Sequence, residues 1–592
     1  MIFSNNPSGL SGSPQTIVVL ALSRMGDIYQ LYPAILSLRE KSPSARIFLV
    51  IYTEFAEAMA PFSAIDGILL IDGSGLKKRV LSGEDPVTLY RSFSLMVGAI
   101  NELSPDLLIN LTPNRIGAML GYLVSAREKR GLSMTGDGYR THLSPWILYL
   151  STFVKNRLFN DLNLVDLFKK IAGVRASKDE GRALRDLPDR SHEEAVDLLR
   201  QRGIDPGTPI IAMATGASVE IKRWPLESFA RVCQRLLDLL PNHRIVLLGS
   251  GSEDTARNQK ILNSVGGRLE GRILDLTNAT SVMTLAALLS RVEILLSNDT
   301  GTMHVAALFG TPSVCLSFSQ LFHPETAPAL EGNVVVSSNR PCAPCSPSAL
   351  CNNPVCREDL DSELVASVIV TRIRHMRHPD RGDWESLHRD LGALSTDGRS
   401  LVSLARRDAL GEIHFVPSGE FLADIGSVLR PVYRVMWHRV LSGEKAGDPV
   451  AIQWPFHLSE MAMEMRKALE RLADFSSEGV FLTGDAAGLS GEKWAMKIES
   501  VDRNIREIGE AFPPVSPMTT MFFLEKESIG INDPFLWKLL VDETRKTYLR
   551  LNERVSWLLA CQGPFGGKNS NSSSGGNAEL PEGERFFHPA AV

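Results

Sequence analysis

The chain has 592 residues, too many for a single hydrophobic core, so about three or four domains are expected. Its 44% apolar and 22% charged residues are ordinary for a globular protein, and a net charge of −5 argues against bulk nucleic-acid binding. No apolar run is long enough to span a bilayer, the run over 17–22 is too short for a signal-peptide core, and seven cysteines do not make a disulfide scaffold; a cytoplasmic protein is expected, with any membrane contact peripheral.

The first domain is expected over 1–175. Residues 16–22 form a strand with no polar face, hence buried on both sides. The turn Ser23-Arg24-Met25-Gly26-Asp27 follows, then a helix to about residue 40 with apolar residues at 28, 31, 35 and 38. Strands over 46–52, 68–71 and 106–111 alternate with helices near 54–61, 88–103 and 114–125, the pattern of a doubly wound parallel sheet. Ligands of such sheets sit at the carboxyl ends of the strands, so the 23–27 turn should line a cleft. On its position alone Asp27 reads as a helix-start aspartate worth about 0.3–1 kcal/mol against the dipole. Gly26 allows close backbone approach, and Gln30 faces either a ligand or solvent. Arg127, Lys129 and Arg130 read as a solvated basic loop.

Charged residues 176–207 form a linker holding one helix, 192–202. A second alternating series, expected as a domain over 208–378, has strands at 209–214, 243–248, 272–276, 293–297 and 313–318. Three of its strand-end turns are rich in small and polar residues: Thr215-Gly216-Ala217-Ser218 with Lys222-Arg223-Trp224-Pro225 beyond it, Gly249 to Asp254, and Asn298-Asp299-Thr300-Gly301. The last opens a helix over 302–309 for which Asp299 and Thr300 are good caps and which Gly310 and Pro312 end. Strand, polar turn and helix start present backbone N–H groups to phosphate. Trp224 reads as a packing residue, as do Cys233 and Cys315.

Cys342, Cys345, Cys351 and Cys356 sit in a Pro-rich loop. Four thiolates at this spacing can close a tetrahedron around zinc; cysteines without metal are the favoured reading, with structural zinc as the other. A helix is expected over 361–376, and beyond it the alternation stops. Helical periodicity at 420–441, 458–473, 492–511 and 534–559 suggests an added helical domain over 379–562, with Trp437, Trp454, Trp494 and Trp537 as core. The Gly/Ser/Asn-rich stretch 563–592 reads as a disordered tail.

Asp299-Thr-Gly-x-x-His304-x-Ala-Ala with Gly310-Thr-Pro312 resembles the nucleotide-sugar site of the family 9 glycosyltransferases, the ADP-heptose:lipopolysaccharide heptosyltransferases. Ser23 to Asp27, Lys222 to Pro225 and Gly249 to Asp254 resemble that family's other motifs, in its order. The resemblance, which covers residues 16 to about 375, implies a GT-B fold: two doubly wound Rossmann-like α/β domains facing a cleft, here with a C-terminal helical domain added. In that fold the closing helix, here 361–376, crosses back to the first lobe. The resemblance makes Asp27 the general base and Lys222 the cation on the leaving diphosphate. It puts Thr215, Gly216, Glu253, Asp299, Thr300, Gly301 and His304 on the donor, and Ser23, Arg24 and Gly26 on the acceptor side. Glu253 is chosen over Asp254, which can cap the helix. No metal is implied for catalysis, since fixed cations and backbone dipoles supply the charge. The implied reaction moves a sugar, heptose in the first reading, with inversion from a nucleotide-diphosphate donor such as ADP-heptose to a lipopolysaccharide-core-like glycolipid. The implied partners are donor and glycolipid at the inner membrane surface, with no nucleic acid. The alternatives are another nucleotide sugar and a different glycan, or a degenerate member acting as a scaffold.

Overall fold

A computed structural model describes residues 14–562 apart from 60–61, 154, 176–185, 267–270, 347–350, 378–383, 395–397, 420–422, 445–446, 485–490 and 531–535. The expected tail from residue 563 and residues 176–185 of the linker lie outside the described residues; the helix expected in the linker is Asp189–Gln201.

The first sheet contains β1 (Thr16–Leu20), β2 (Arg46–Tyr52), β3 (Gly67–Ile71), β4 (Leu107–Asn110), β5 (Glu128–Met134) and β6 (Arg140–His142) in the order β3-β2-β1-β4-β5-β6. All pairs are parallel except β5 with β6. β1 is buried throughout, and its side chains alternate between two cores: Ile17 and Val19 on one face, Val18 and Leu20 on the other. This two-sided burial is why the strand reads as an unbroken apolar run. Of the basic residues expected in a solvated loop, Arg127 is exposed just before β5, but Lys129 and Arg130 lie within that strand. Its Arg130 pairs with Glu128, and Lys129 donates to the Tyr122 carbonyl.

The second sheet contains β7 (Ile210–Ala214), β8 (Arg244–Leu248), β9 (Ile273–Asp275), β10 (Ile294–Ser297), β11 (Ser313–Ser317), β12 (Val334–Ser338), β13 (Ser400–Arg407) and β14 (Ile413–Ser418). Their order is β14-β13-β12-β11-β10-β7-β8-β9. β13 and β14 are an antiparallel hairpin added to β12, so the stretch expected to be helical contributes, after the helix Trp384–Gly392, two strands to the second lobe. The helix Ser362–Arg377 also stays on this lobe. Its Val365, Ile369 and Ile373 enter the core beneath the sheet, so it does not cross back as expected.

The crossing is made by Ile425–Leu441, the first of five long helices that continue with Ser459–Gly484, Gly491–Ala511, Ser516–Glu527 and Trp537–Cys561. Tyr433 meets Phe159 and Trp437 meets Tyr149 edge-on, at 6.1 and 6.3 Å between ring centroids. The helical region and the inner face of the first lobe therefore share one hydrophobic core. A charged knot pins this junction. Lys170, Arg434 and His438 surround Glu412 at 2.6, 3.3 and 3.1 Å, and Asp166 accepts from the Ile413 N–H. Burial pushes the Glu412 pKa up, but His438, Lys170 and Arg434 outweigh it and hold it near about 2.

Candidate active site

In each sheet the strand order reverses beside the first strand of the lobe: β1 lies between β2 and β4, and β7 between β10 and β8. Chains leaving such neighbours diverge to opposite faces and open a crevice at the strand ends. The turn after β1 and the turn after β10 meet across the lobes. A Cβ on Gly26 would lie 3.0 Å from His304 Cδ2 and 3.4 Å from Gly301 Cα. Glycine at 26 is thus demanded by the approach of the second lobe.

Asp27 is in the first turn of the helix Met25–Lys41, and its Oδ2 accepts from the Arg24 N–H at 3.3 Å. Burial raises its pKa; the backbone and charge of Arg24 lower it, Asp299 raises it and Lys222 lowers it, for a net value above the ordinary carboxylate. Residues from both lobes thus act on one carboxylate. Lys222 Nζ bonds Asp299 Oδ2 at 2.6 Å, with the two side chains 16% and 18% exposed. Thr300 occupies the N-cap position of the helix Gly301–Leu308, but neither it nor Asp299 caps as expected: Thr300 makes no side-chain cap bond, and Asp299 is held by Lys222. The helix ends as read from the sequence, with Gly310 at φ +79°.

His304 is buried, and burial pushes its pKa down to about 4, so the imidazole is neutral. Its Nε2 lies 3.3 Å from Gln30 Nε2; with the amide N–H donating, the ring proton sits on Nδ1. Gln30 is 4% exposed and faces His304 rather than solvent, and its Oε1 has no partner among the described residues. Of the other acceptor-side residues, Ser23 is half-buried and Arg24 exposed.

Thr215 is fully buried, and its hydroxyl donates to Asn258 Oδ1 at 2.5 Å, so it stands beneath the site. Gly216 carries Asp254 above it: an added Cβ would lie 2.3 Å from Asp254 Oδ1. Glu253 is 66% exposed and is ion-paired to Arg223 on the rim. Asp254 therefore packs on the glycine turn, while Glu253 is neutralised by a cation the sequence did not bring forward. Asn298 was also missed. Fully buried, it bonds the Thr215 carbonyl at 2.7 Å and the Trp224 N–H at 3.2 Å, tying three turns together. A polar residue ending the apolar strand β10 was the available signal. Trp224 is buried, as its packing role requires.

The four loop cysteines are free thiols. Burial raises the pKa of Cys345 and Cys356, and the neighbouring cysteines raise both further. Among the described residues no group of three or more His, Cys, Asp or Glu is arranged to hold a metal ion.

Two Rossmann-like lobes with their strand-end turns brought together define the GT-B class. Residues 138–354 match the model of glycosyltransferase family 9 (heptosyltransferase). Lipopolysaccharide heptosyltransferase 2 of Escherichia coli K12 is 26% identical over 174 residues, which are 27% of this chain and 49% of the relative. Lipooligosaccharide heptosyltransferase 2 of Campylobacter jejuni is 26% identical over 169 residues, 28% of this chain and 51% of the relative. The chain spans about half the length of these curated relatives. Among solved structures, E. coli ADP-heptose lps heptosyltransferase II is 17% identical with a TM-score of 0.43, over 61% of this chain and 99% of that one. The iron-containing dodecameric glycosyltransferase TibC of enterotoxigenic E. coli is 14% identical with a TM-score of 0.35, over 62% and 77%.

Proposed function

We infer that the protein is an inverting glycosyltransferase that moves a sugar, heptose in the leading reading, from a nucleotide-diphosphate donor to a hydroxyl of a lipopolysaccharide-core-like glycolipid. The observation that carries this reading is the convergence of Asp27 from one lobe with Lys222, Asp299 and the Gly301–Leu308 helix start from the other. In the reaction Asp27 takes the proton of the acceptor hydroxyl as its oxygen attacks the anomeric carbon from the face opposite the diphosphate. The bond from anomeric carbon to phosphate oxygen breaks, and its electron pair leaves on the nucleoside diphosphate. Lys222 and the uncapped N–H groups at Gly301 stabilise that charge. Asp27 must be ionised to act, so its raised pKa puts the acid limb of the rate profile above the ordinary carboxylate range.

Donor contacts are assigned to Thr215, Gly216, Glu253, Thr300 and His304 as well, with Thr215 acting through the turn it supports. The chemistry uses no cofactor. A glycolipid acceptor places the working protein at the cytoplasmic face of a membrane, in peripheral contact. The test is a screen of ADP-, UDP- and GDP-sugars with the purified full chain and a heptose-lacking lipopolysaccharide acceptor, following nucleotide release. Acceptor-dependent release of ADP from ADP-heptose is expected. Release from a different nucleotide sugar would correct the donor, and no binding or consumption of any of them would overturn the reading.

A further inference from the structure

The outer face of the first sheet is covered by two helices that are barely seated. Gly73–Leu81 fully buries no side chain, and Pro86–Glu102 fully buries only Ile100. Between them and β2–β3 lies a cavity of about 210 Å³ lined by Leu69, Leu76, Met96 and Ile100 among others. The same helices turn large apolar side chains outward: Leu81 is 76% exposed, Leu95 75%, Tyr90 71%, Val80 58% and Val87 54%. A surface helix normally buries such residues, so this arrangement marks a face with a partner.

The charges say which partner. Lys77, Lys78 and Arg91 are exposed on these helices. The nearby acids are engaged elsewhere: Asp72 and Asp85 cap the two helix starts, and Glu84 is paired with Arg79. Pro86–Glu102 carries no acidic residue before its last position. A second copy packed on this face by two-fold symmetry would set like charges against each other. An anionic bilayer would meet both features, taking Leu and Tyr side chains at the headgroup boundary and giving phosphates to the basic ones. Among the described residues no helix is long and apolar enough to cross a membrane. The crossover from β3 to β4 also runs from the carboxyl ends of the strands to their amino ends, which puts the start of Pro86–Glu102 on the carboxyl-end side of the sheet, the side on which the site lies.

We propose that Gly73–Leu81 and Pro86–Glu102 are an interfacial docking surface for an anionic phospholipid bilayer, with Leu81, Tyr90 and Leu95 entering the boundary and Lys77, Lys78 and Arg91 meeting lipid phosphates. This deepens the reading of a glycolipid acceptor and names the surface that reaches the membrane.

The experiment is co-sedimentation of the full chain with acceptor-free vesicles of phosphatidylethanolamine and phosphatidylglycerol, and with phosphatidylcholine vesicles, at low and high salt. Wild type is expected to bind the anionic vesicles and to lose binding with salt. Leu81→Ser with Leu95→Ser should weaken partition by about tenfold or more. Lys77→Glu with Lys78→Glu should weaken it by at least about tenfold and flatten the salt dependence. Phe481→Ser, at an exposed apolar residue of the helical region, should leave it unchanged. Thermal midpoints, which exposed substitutions leave in place, are read on the same preparations. No binding of wild type, binding indifferent to both double variants, or a solution mass that falls to a smaller species in Leu81→Ser with Leu95→Ser would each overturn the proposal. Transfer to a deacylated, soluble acceptor separates the two readings. Loss of vesicle binding with transfer intact removes only the docking surface; vesicle binding without any nucleotide-sugar turnover removes only the transferase.

Discussion

Replacing Lys222 by Ala separates its structural and catalytic roles by size. The Lys222–Asp299 contact is 2.6 Å with both side chains largely covered, so truncation strands a carboxylate with little water. Breaking a fully buried pair costs about 3–5 kcal/mol; residual exposure here brings the expected cost to about 2 kcal/mol. In a chain of this length that moves the thermal midpoint by only a few degrees. Loss of a preorganised charge on the leaving diphosphate costs about 10²–10³ in turnover. The substitution carries a second signature, because the Lys222 charge lowers the Asp27 pKa. Without it that pKa rises, and the acid limb of the rate profile moves to higher pH. The assay is quenched single-turnover nucleotide release at saturating donor across pH, with a thermal melt of each preparation. Lys222→Arg keeps the charge and should recover most of the limb position while losing part of the rate. Turnover of Lys222→Ala within about threefold of wild type, with the acid limb unmoved, would refute the assignment.

The buried histidines make stability pH-dependent. Burial holds His142 and His304 near about 4 and His323 near about 3, against 6.5 unfolded. The unfolded chain then binds protons more readily, so stability is fully present above pH 6.5 and falls below it. Each should cost about 2 kcal/mol by pH 5, offset only in part by what Glu325, raised by burial to about 7, gains by protonation. The thermal midpoint should drop between pH 7 and pH 5, and His142→Gln should flatten that slope; an unchanged slope would contradict the burial account. Gln30→Leu removes an acceptor that has no partner, so its midpoint should stay within about 1 kcal/mol of wild type. A loss above about 2 kcal/mol would mean that the contact with His304 holds the lobes together.

The lobes were legible because β1, β7 and β10 are buried on both faces and read as unbroken apolar runs ending in polar turns. That Asp27 and the Asp299 turn lie just beyond strand ends was legible for the same reason. Long-range pairing was not. β13 and β14 carry Arg and Ser among their apolar residues and belong to the second sheet only through an antiparallel register with β12. Gln30 and His304 are 274 positions apart, and neither residue alone marks the other. The seam between the first lobe and the helical region was invisible because its residues, Tyr149, Phe159, Tyr433 and Trp437, read as core wherever their partners lie.

The central claim is that one carboxylate of the first lobe takes the acceptor proton while the donor is held by the second. Transfer rate, nucleotide affinity and thermal midpoint of Asp27→Asn, taken on a single preparation, test it most directly. Asparagine caps a helix about as well as aspartate and keeps the reach of the side chain, but it accepts no proton. The account predicts a folded, donor-binding protein whose transfer is abolished; near-normal transfer by Asp27→Asn would contradict it.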